Sequence, residues 1–429
     1  METEMQEQKS LERKHWRWTF GASLANYIDS GSIVAGGAAL AVWQGHFNLS
    51  DLAVGVLSAF SSNAISAGIG ALIGGWLCDK VGRKKIYEYD LLCYIVGIII
   101  LVSAPSSWVL ILGYIIMGLS VGADIPASWT IIAENAQTKN RSRHGGVAQS
   151  LWAVGVMVTL AIAFFTASLQ MWGVRIVFLH LALVAFATWL MRVDMPESKT
   201  WFEERQRIKE GLVTNVNKVK LSSLFKGKNL KALIFLIVLF GIWNFAAGTN
   251  GFFLPYLLKN FGNQTQATSL VFQLAEYAVT FLACTFIFMN FADNPKARRW
   301  LFLSGSGLCV LAMSLFAFFP LNTGIAILFI LFWGYGNGCG EQQFYQIWAS
   351  ELFPTRFRAT AQGFMWAVIR ISLGFWSMFV PILATIGFHL LGLLMTIFTL
   401  ISMVVGLVFM PNTGGKSLKK IEEEQGQAL

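Results

Sequence analysis

Twelve times in succession the chain runs through an apolar stretch of roughly 20 residues, the length a helix needs to cross a bilayer core, while Lys, Arg, Asp and Glu gather in the connectors. The stretches are 17–44, 51–78, 86–104, 107–134, 146–168, 174–193, 231–257, 268–291, 298–319, 322–349, 361–385 and 387–410. In lipid every backbone amide must bond within its own segment, so such stretches are helices. Only 13% of the 429 residues are charged and 55% are hydrophobic, whereas a soluble domain carries about 25% charged residues. The sequence therefore specifies an all-α membrane protein.

The connectors give the orientation. Basic residues fill the N-terminus (Lys9, Arg13, Lys14), every second connector after it, from Lys80–Lys85 to Arg356 and Arg358, and the C-terminus (Lys416, Lys419, Lys420). The alternate connectors carry almost none, Lys259 being the main exception. Positive charge marks the cytoplasmic side, so both termini are expected in the cytoplasm of a multi-pass protein in a plasma membrane, the inner membrane if the host is bacterial. The formal charge of +9 is accounted for in this way, and no nucleic-acid partner is inferred. The five cysteines are irregularly spaced within apolar spans, which suggests neither disulfides nor a metal site. One long polar segment, 197–230, divides an N-terminal six-helix bundle (1–196) from a C-terminal one with a short tail (231–429), and it is read as a solvated amphipathic linker on the cytoplasmic face.

The two halves also repeat. Asp124, Glu134 and Arg141 recur as Glu341, Glu351 and Arg358, each 217 residues later. An acid within an apolar run, a second acid and a base at one fixed offset describe a duplicated object, and duplicated six-span halves point to a transporter with its site between them. The expected fold is twelve transmembrane helices in two pseudo-symmetric six-helix bundles.

After the second span stands Gly75-Trp76-Leu77-Cys78-Asp79-Lys80-Val81-Gly82-Arg83-Lys84-Lys85. Gly75 permits close helix approach, Gly82 a tight turn, and Asp79 at a helix C-terminus calls for a cationic partner. This run resembles the GxxxDxxGRK motif of the major facilitator superfamily. Asp293-Asn294-Pro295-Lys296-Ala297-Arg298-Arg299 is a weaker copy in the second half. Pro196-Glu197-Ser198-Lys199-Thr200-Trp201 resembles the PESPRW of its sugar-porter and metabolite-symporter branch, Glu351 to Arg358 its ExFPTxxR, and Pro411 to Lys416 its PETKG. The resemblance covers nearly the whole chain. It implies alternating access, with Glu134 paired to Arg141 or Arg143, and Glu351 to Arg356 or Arg358, as salt bridges of an inner gate.

Ionisable groups inside spans are costly and so are functional candidates. Asp29, Asp124, Glu276, Glu341 and Arg370 lie deep, Arg370 being read as the only deep arginine, while Asp90 and Asp194 are read as solvated near span ends. The resemblance implies that Asp29 occupies the place of the first-span aspartate of proton-coupled sugar porters and that Asp124 is a second proton-binding candidate. The family's arginine ten residues before Asp124 is replaced by Tyr114, so Asp29 takes another switching partner or none. Arg370 must face either a substrate carboxylate or an internal acid, Glu341 or Glu276. Trp243, Asn244 and Asn250 fall in a seventh-span run that resembles QQxxGxN, and Gln149, Trp152, Gln273, Glu276 and the cluster Glu341, Gln342 and Gln343 are placed to join them in binding hydroxyl groups.

The resulting expectation is a secondary transporter, read as a monomer, that couples protons to uptake of a small hydrophilic metabolite: a sugar, a polyol such as inositol, or a sugar acid. Facilitated diffusion and organic-anion transport through Arg370 are the alternatives, followed by a transporter-like sensor. No catalytic triad order, metal spacing or Walker loop is present, so neither an enzyme nor a cofactor or metal is expected.

Overall fold

In the computed structural model, the residues described are 2–49, 57, 59–61, 64–135, 141–193, 195, 197–198, 201–203, 205–206, 210, 224–262, 264–355 and 357–424. No strand occurs among them. The long helices are α1 (Glu2–Phe47), α2 (Ile65–Val81), α3 (Arg83–Val102), α4 (Ser107–Asn135), α5 (Arg141–Thr166), α6 (Met171–Val193), α7 (Gly227–Phe261), α8 (Gln266–Leu282), α9 (Pro295–Phe318), α10 (Thr323–Cys339, resuming as Glu341–Glu351), α11 (Arg358–Ile386) and α12 (Phe388–Val408). A short α13 (Leu418–Glu424) follows. By length and composition, eight helices among the described residues can cross a membrane. Helix α1 starts well before the expected residue 17, and α7 extends past both ends of 231–257. Most of the linker 197–230 lies outside the described residues.

Local signals account for the helix ends. Asn294 caps α9 by accepting from the amides of Lys296 and Ala297, with Pro295 in the first turn, and Asn322 and Thr265 cap α10 and α8 in the same way. Gly82, at φ +105°, makes the single-residue break between α2 and α3, in a conformation that L side chains rarely adopt. Gly340 interrupts α10 in mid-span, where its backbone lies against Gly305 of α9. After Leu282, α8 continues through a π turn, Ala283–Phe288, to Phe291.

The first six helices pack mainly on one another, and so do the last six. The bundles meet along two seams, α2 against α11 and α5 against α8. Shifting each helix by six positions exchanges the seams, so the duplication seen in the sequence is present in the packing. Gly75 of α2 and Gly363 of α11 face each other, and a Cβ on Gly363 would lie 3.1 Å from the Cα of Gly75. Only small residues let two helix backbones come that close. Within the C-terminal bundle the rings of Phe316, Phe329, Trp333, Trp243, Phe240 and Tyr345 stack in sequence, each centroid 4.0 to 6.1 Å from the next. This aromatic column leads to the space between the bundles.

Candidate functional site: a central cavity and an inner gate

A cavity with about 680 Å³ of empty space, its mouth included, lies between the two halves. Six of the expected binding residues line it: Trp152, Trp243, Asn244, Asn250, Gln342 and Arg370. The sequence reading missed Tyr277, Trp333, Trp366 and Asn337, which also line it. Such isolated aromatic and amide residues in apolar spans give no signal that separates a cavity wall from ordinary packing.

Asp29 and Arg370 meet at this cavity from opposite bundles, α1 and α11, with Arg370 Nη2 3.5 Å from Asp29 Oδ2. Trp152 Nε1 donates to the same oxygen at 3.2 Å, and the guanidinium lies 4.5 Å over the Trp366 ring. Asp29 Oδ1 is buried without a hydrogen-bond partner among the described residues. The expectation that Arg370 pairs with Glu341 or Glu276 is therefore corrected. Its carboxylate comes from the first helix, which is closer in space although 341 residues distant in sequence. Tyr114 packs edge-on against Trp43 at 5.6 Å.

The remaining candidates lie around the cavity rather than on it. Gln149 of α5 accepts from Gln342 across the bundle boundary at 3.4 Å. Glu276 accepts from Asn250 at 2.8 Å, and Gln273 donates to the Gly251 carbonyl. Gln343 turns into its own bundle and donates to the Asn337 carbonyl. Glu341 is fully buried, and neither of its carboxyl oxygens meets a hydrogen-bond partner among the described residues.

Asp124 is held by an arginine that sequence reading overlooked. Arg192 donates to both Asp124 oxygens at 2.8 and 2.9 Å and to the carbonyls of Gly21 and Ala22, with its guanidinium over the Tyr87 ring. It stands at the end of α6, which suggests solvation, but side chains lean toward the helix N-terminus and so reach back into the protein. Asp90 is also corrected: it is buried, 7% exposed, with Oδ2 4.0 Å from Arg192 Nη1. Asp194 lies outside the described residues.

On the face that carries the basic connectors, the bundles are locked together. Asp79, at the end of α2, is 3.3 Å from Arg83 and accepts from the Thr360 amide at 2.6 Å. In the pseudo-symmetric position Asp293 accepts from the Ser142 amide at 3.1 Å. Each acid thus caps the first turn of a helix in the other bundle, α11 and α5 respectively, where a negative charge is favoured. Burial raises the Asp293 carboxyl above its ordinary range.

Between these caps, Glu134 accepts from Arg83 at 3.0 Å and from Arg358 at 2.8 Å, and Ser198 donates to its other oxygen. The expected pair of Glu134 with Arg143 does not form: Arg143 is exposed and reaches Asn290, and the Arg141 side chain is outside the description. Glu351 pairs with Arg298 at 3.4 Å instead of Arg358, and Arg356 is not among the described residues. The pairing crosses the halves because Arg358, at the start of α11, points at the other bundle. It also meets Glu422 of α13 at 3.2 Å. Glu197 accepts from the amides of Arg83 and Lys84 and so caps α3, while the Lys84 and Arg299 side chains are exposed.

Comparison with known proteins agrees with this architecture. The family model for the Major Facilitator Superfamily matches residues 19–377. The minor myo-inositol transporter IolF of Bacillus subtilis is 45% identical over 412 residues, covering 95% of this chain and 93% of the relative. The glucose transporter GlcP of Staphylococcus epidermidis is 25% identical, covering 85% of this chain and 87% of the relative. Among solved structures, the proton:xylose symporter XylE bound to 6-bromo-6-deoxy-D-glucose superposes with a TM-score of 0.84 at 17% identity, covering 96% of this chain and 99% of that one. The chain belongs to the major facilitator superfamily.

Proposed function

We propose that this protein is a proton-coupled importer of a neutral polyol or sugar of the inositol type. It works as a monomer by alternating access, with its basic face in the cytoplasm of a bacterial inner membrane. The observation that carries the reading is the Asp29–Arg370 pair, which joins the two bundles at the wall of a cavity lined by amides and aromatic rings. A proton delivered to Asp29 removes the charge that holds Arg370 and frees the bundles to move, so the missing fourth-span arginine has its counterpart on α11. Because Arg370 already faces a carboxylate, the cavity suits an uncharged polyhydroxylated ligand: Asn244, Asn250 and Gln342 supply hydrogen bonds, and Trp243, Trp333 and Trp366 supply an apolar aromatic wall. The 45% identical relative, named as a myo-inositol transporter, supports the same class of ligand. Asp124, tied to Arg192, serves to hold α1, α4 and α6 together. The gate residues around Glu134 keep the cytoplasmic side shut in this state.

The test is uptake into proteoliposomes of myo-inositol, hexoses and hexonates, with and without an imposed proton gradient. The reading expects gradient-driven accumulation of a neutral polyol or sugar. Gradient-independent equilibration alone would make the protein a facilitator, and selective uptake of hexonates would return Arg370 to substrate binding.

A further inference from the structure

On α11, residues 362, 366 and 370 are four apart and so share one stripe of the helix. Trp366 and Arg370 line the central cavity. Gln362 lies on the same stripe, about 6 Å farther toward the basic face at 1.5 Å per residue, between the cavity and the gate residues Arg358 and Thr360. It is 1% exposed, and neither its carbonyl oxygen nor its amide nitrogen meets a hydrogen-bond partner among the described residues. Tyr345 of α10 is fully buried nearby. Its ring stacks on Phe240 at 4.0 Å and stands edge-on to Trp366 at 6.5 Å, and its hydroxyl is likewise without a partner. Phe240 and Trp366 both line the cavity, so these three rings form an aromatic floor, with Gln362 continuing the α11 stripe beyond it.

An unpaired polar atom in a dry interior is destabilising, and an apolar side chain of similar shape would remove the cost. Three such atoms, on Tyr345 beside the cavity ring Trp366 and on Gln362 one helical turn from Trp366 toward the gate, are matched to a state in which this part of the boundary between the bundles is open. We propose that Gln362 and the Tyr345 hydroxyl form a second polyol station, through which the substrate passes after the aromatic floor parts and before it leaves at the basic face. The inference rests on the polyol reading above and adds residues that the central site does not use.

The test compares myo-inositol transport in right-side-out and everted vesicles. Gln362→Leu is expected to raise KM for entry from the basic face by roughly 5- to 30-fold, the loss of one or two hydrogen bonds at about 1 kcal/mol each, and to leave KM from the other face within about twofold. Gln362→Asn, which keeps the amide on a shorter arm, should fall between. Equal changes at both faces, or no change at either, would overturn the proposal. A second arm needs no substrate: with the five native cysteines replaced, Gln362→Cys should react with an impermeant maleimide added at the basic face, and failure to label would also overturn it. Labelling at 362 in a protein that carries no myo-inositol would refute the polyol reading and leave the route standing.

Discussion

Replacing the two partners of the central ion pair, singly and together, tests whether they act as one switch. Arg370 and Asp29 are 3.5 Å apart, with side chains 7% and 3% exposed. At an effective dielectric of about 20, unit charges at this separation attract by roughly 4–5 kcal/mol. Desolvation offsets much of that, but stripping one member from a buried pair costs about 3–5 kcal/mol, because the other charge is left uncompensated. Asp29→Asn and Arg370→Gln should therefore each destabilise the protein, while the double variant, with neither charge, should be milder than the sum by about 1–3 kcal/mol. Transport gives a second magnitude. One titrating carboxyl moves one proton per cycle, so each unit of pH difference supplies about 1.4 kcal/mol, or tenfold accumulation. Wild-type proteoliposomes should show that slope, whereas Asp29→Asn should stop at equal concentrations under any gradient and still exchange labelled for unlabelled substrate. Arg370→Gln should lose accumulation in the same way. Thermal melting and counterflow assays read both effects. Strict additivity of the single variants, or an undiminished slope in Asp29→Asn, would refute the switch.

The gate and its caps give further expectations. Arg358→Gln leaves Glu134 with Arg83 but removes one of the ties between the two bundles, the Asp79 and Asp293 caps remaining, so the inner face should open more readily and the apparent affinity from the outer face should fall about tenfold, a shift of roughly 1.4 kcal/mol, measured by uptake into right-side-out vesicles. Asp293→Asn keeps an acceptor for the Ser142 amide and should preserve activity, whereas Asp293→Ala removes the cap and should cost about 1 kcal/mol in thermal melting. Because burial raises the folded-state pKa of Asp293 above its unfolded value, its charge destabilises the fold above that folded pKa and the penalty disappears as pH falls through it. Asp293→Asn should thus gain on wild type at neutral pH and lose the gain in acid, as melting across that range would show. Gly75→Val should hold α2 away from Ala359 and Gly363 of α11 and trap the inner face open, seen as binding from the basic face without turnover.

The sequence made legible what is carried by length, composition and fixed spacing. The twelve spans, the alternation of basic connectors and the 217-residue repeat follow from hydrophobic length and charge placement; the fold shows, among the described residues, twelve long helices and seams that exchange under a six-helix shift, while the start of the span 51–78 lies largely outside those residues. Asp79 could be picked out because its glycines and bases stand at fixed intervals. The structure places it on a helix N-terminus of the other bundle, and the receiving group, the Thr360 amide, belongs to the backbone. The same is true of Asp293 and the Ser142 amide. Any residue except proline presents that donor, so the receiving half of each cap has no spelling in the sequence, however strongly the acid is marked. The ion pairs were illegible for a different reason. Proximity along the chain suggests Arg141 or Arg143 for Glu134 and Arg356 or Arg358 for Glu351, but a salt bridge joins whatever the packing brings within about 4 Å, and here α11 is turned so that Arg358 reaches Glu134 of the opposite bundle. Arg370 follows the same logic: its sequence showed that a buried guanidinium needs a carboxylate, and only the crossing of α1 and α11 shows which one. A buried arginine in a span therefore announces that an acid lies near it, and the packing of the helices, within one half for Arg192 with Asp124 and between the halves for Arg370 with Asp29, decides which acid it is. In this protein one ion pair at each of two levels, Asp29 with Arg370 in the middle and Glu134 with Arg358 near the basic face, joins one bundle to the other, and under the proposed alternating access these are the pairs that relative motion of the bundles would break.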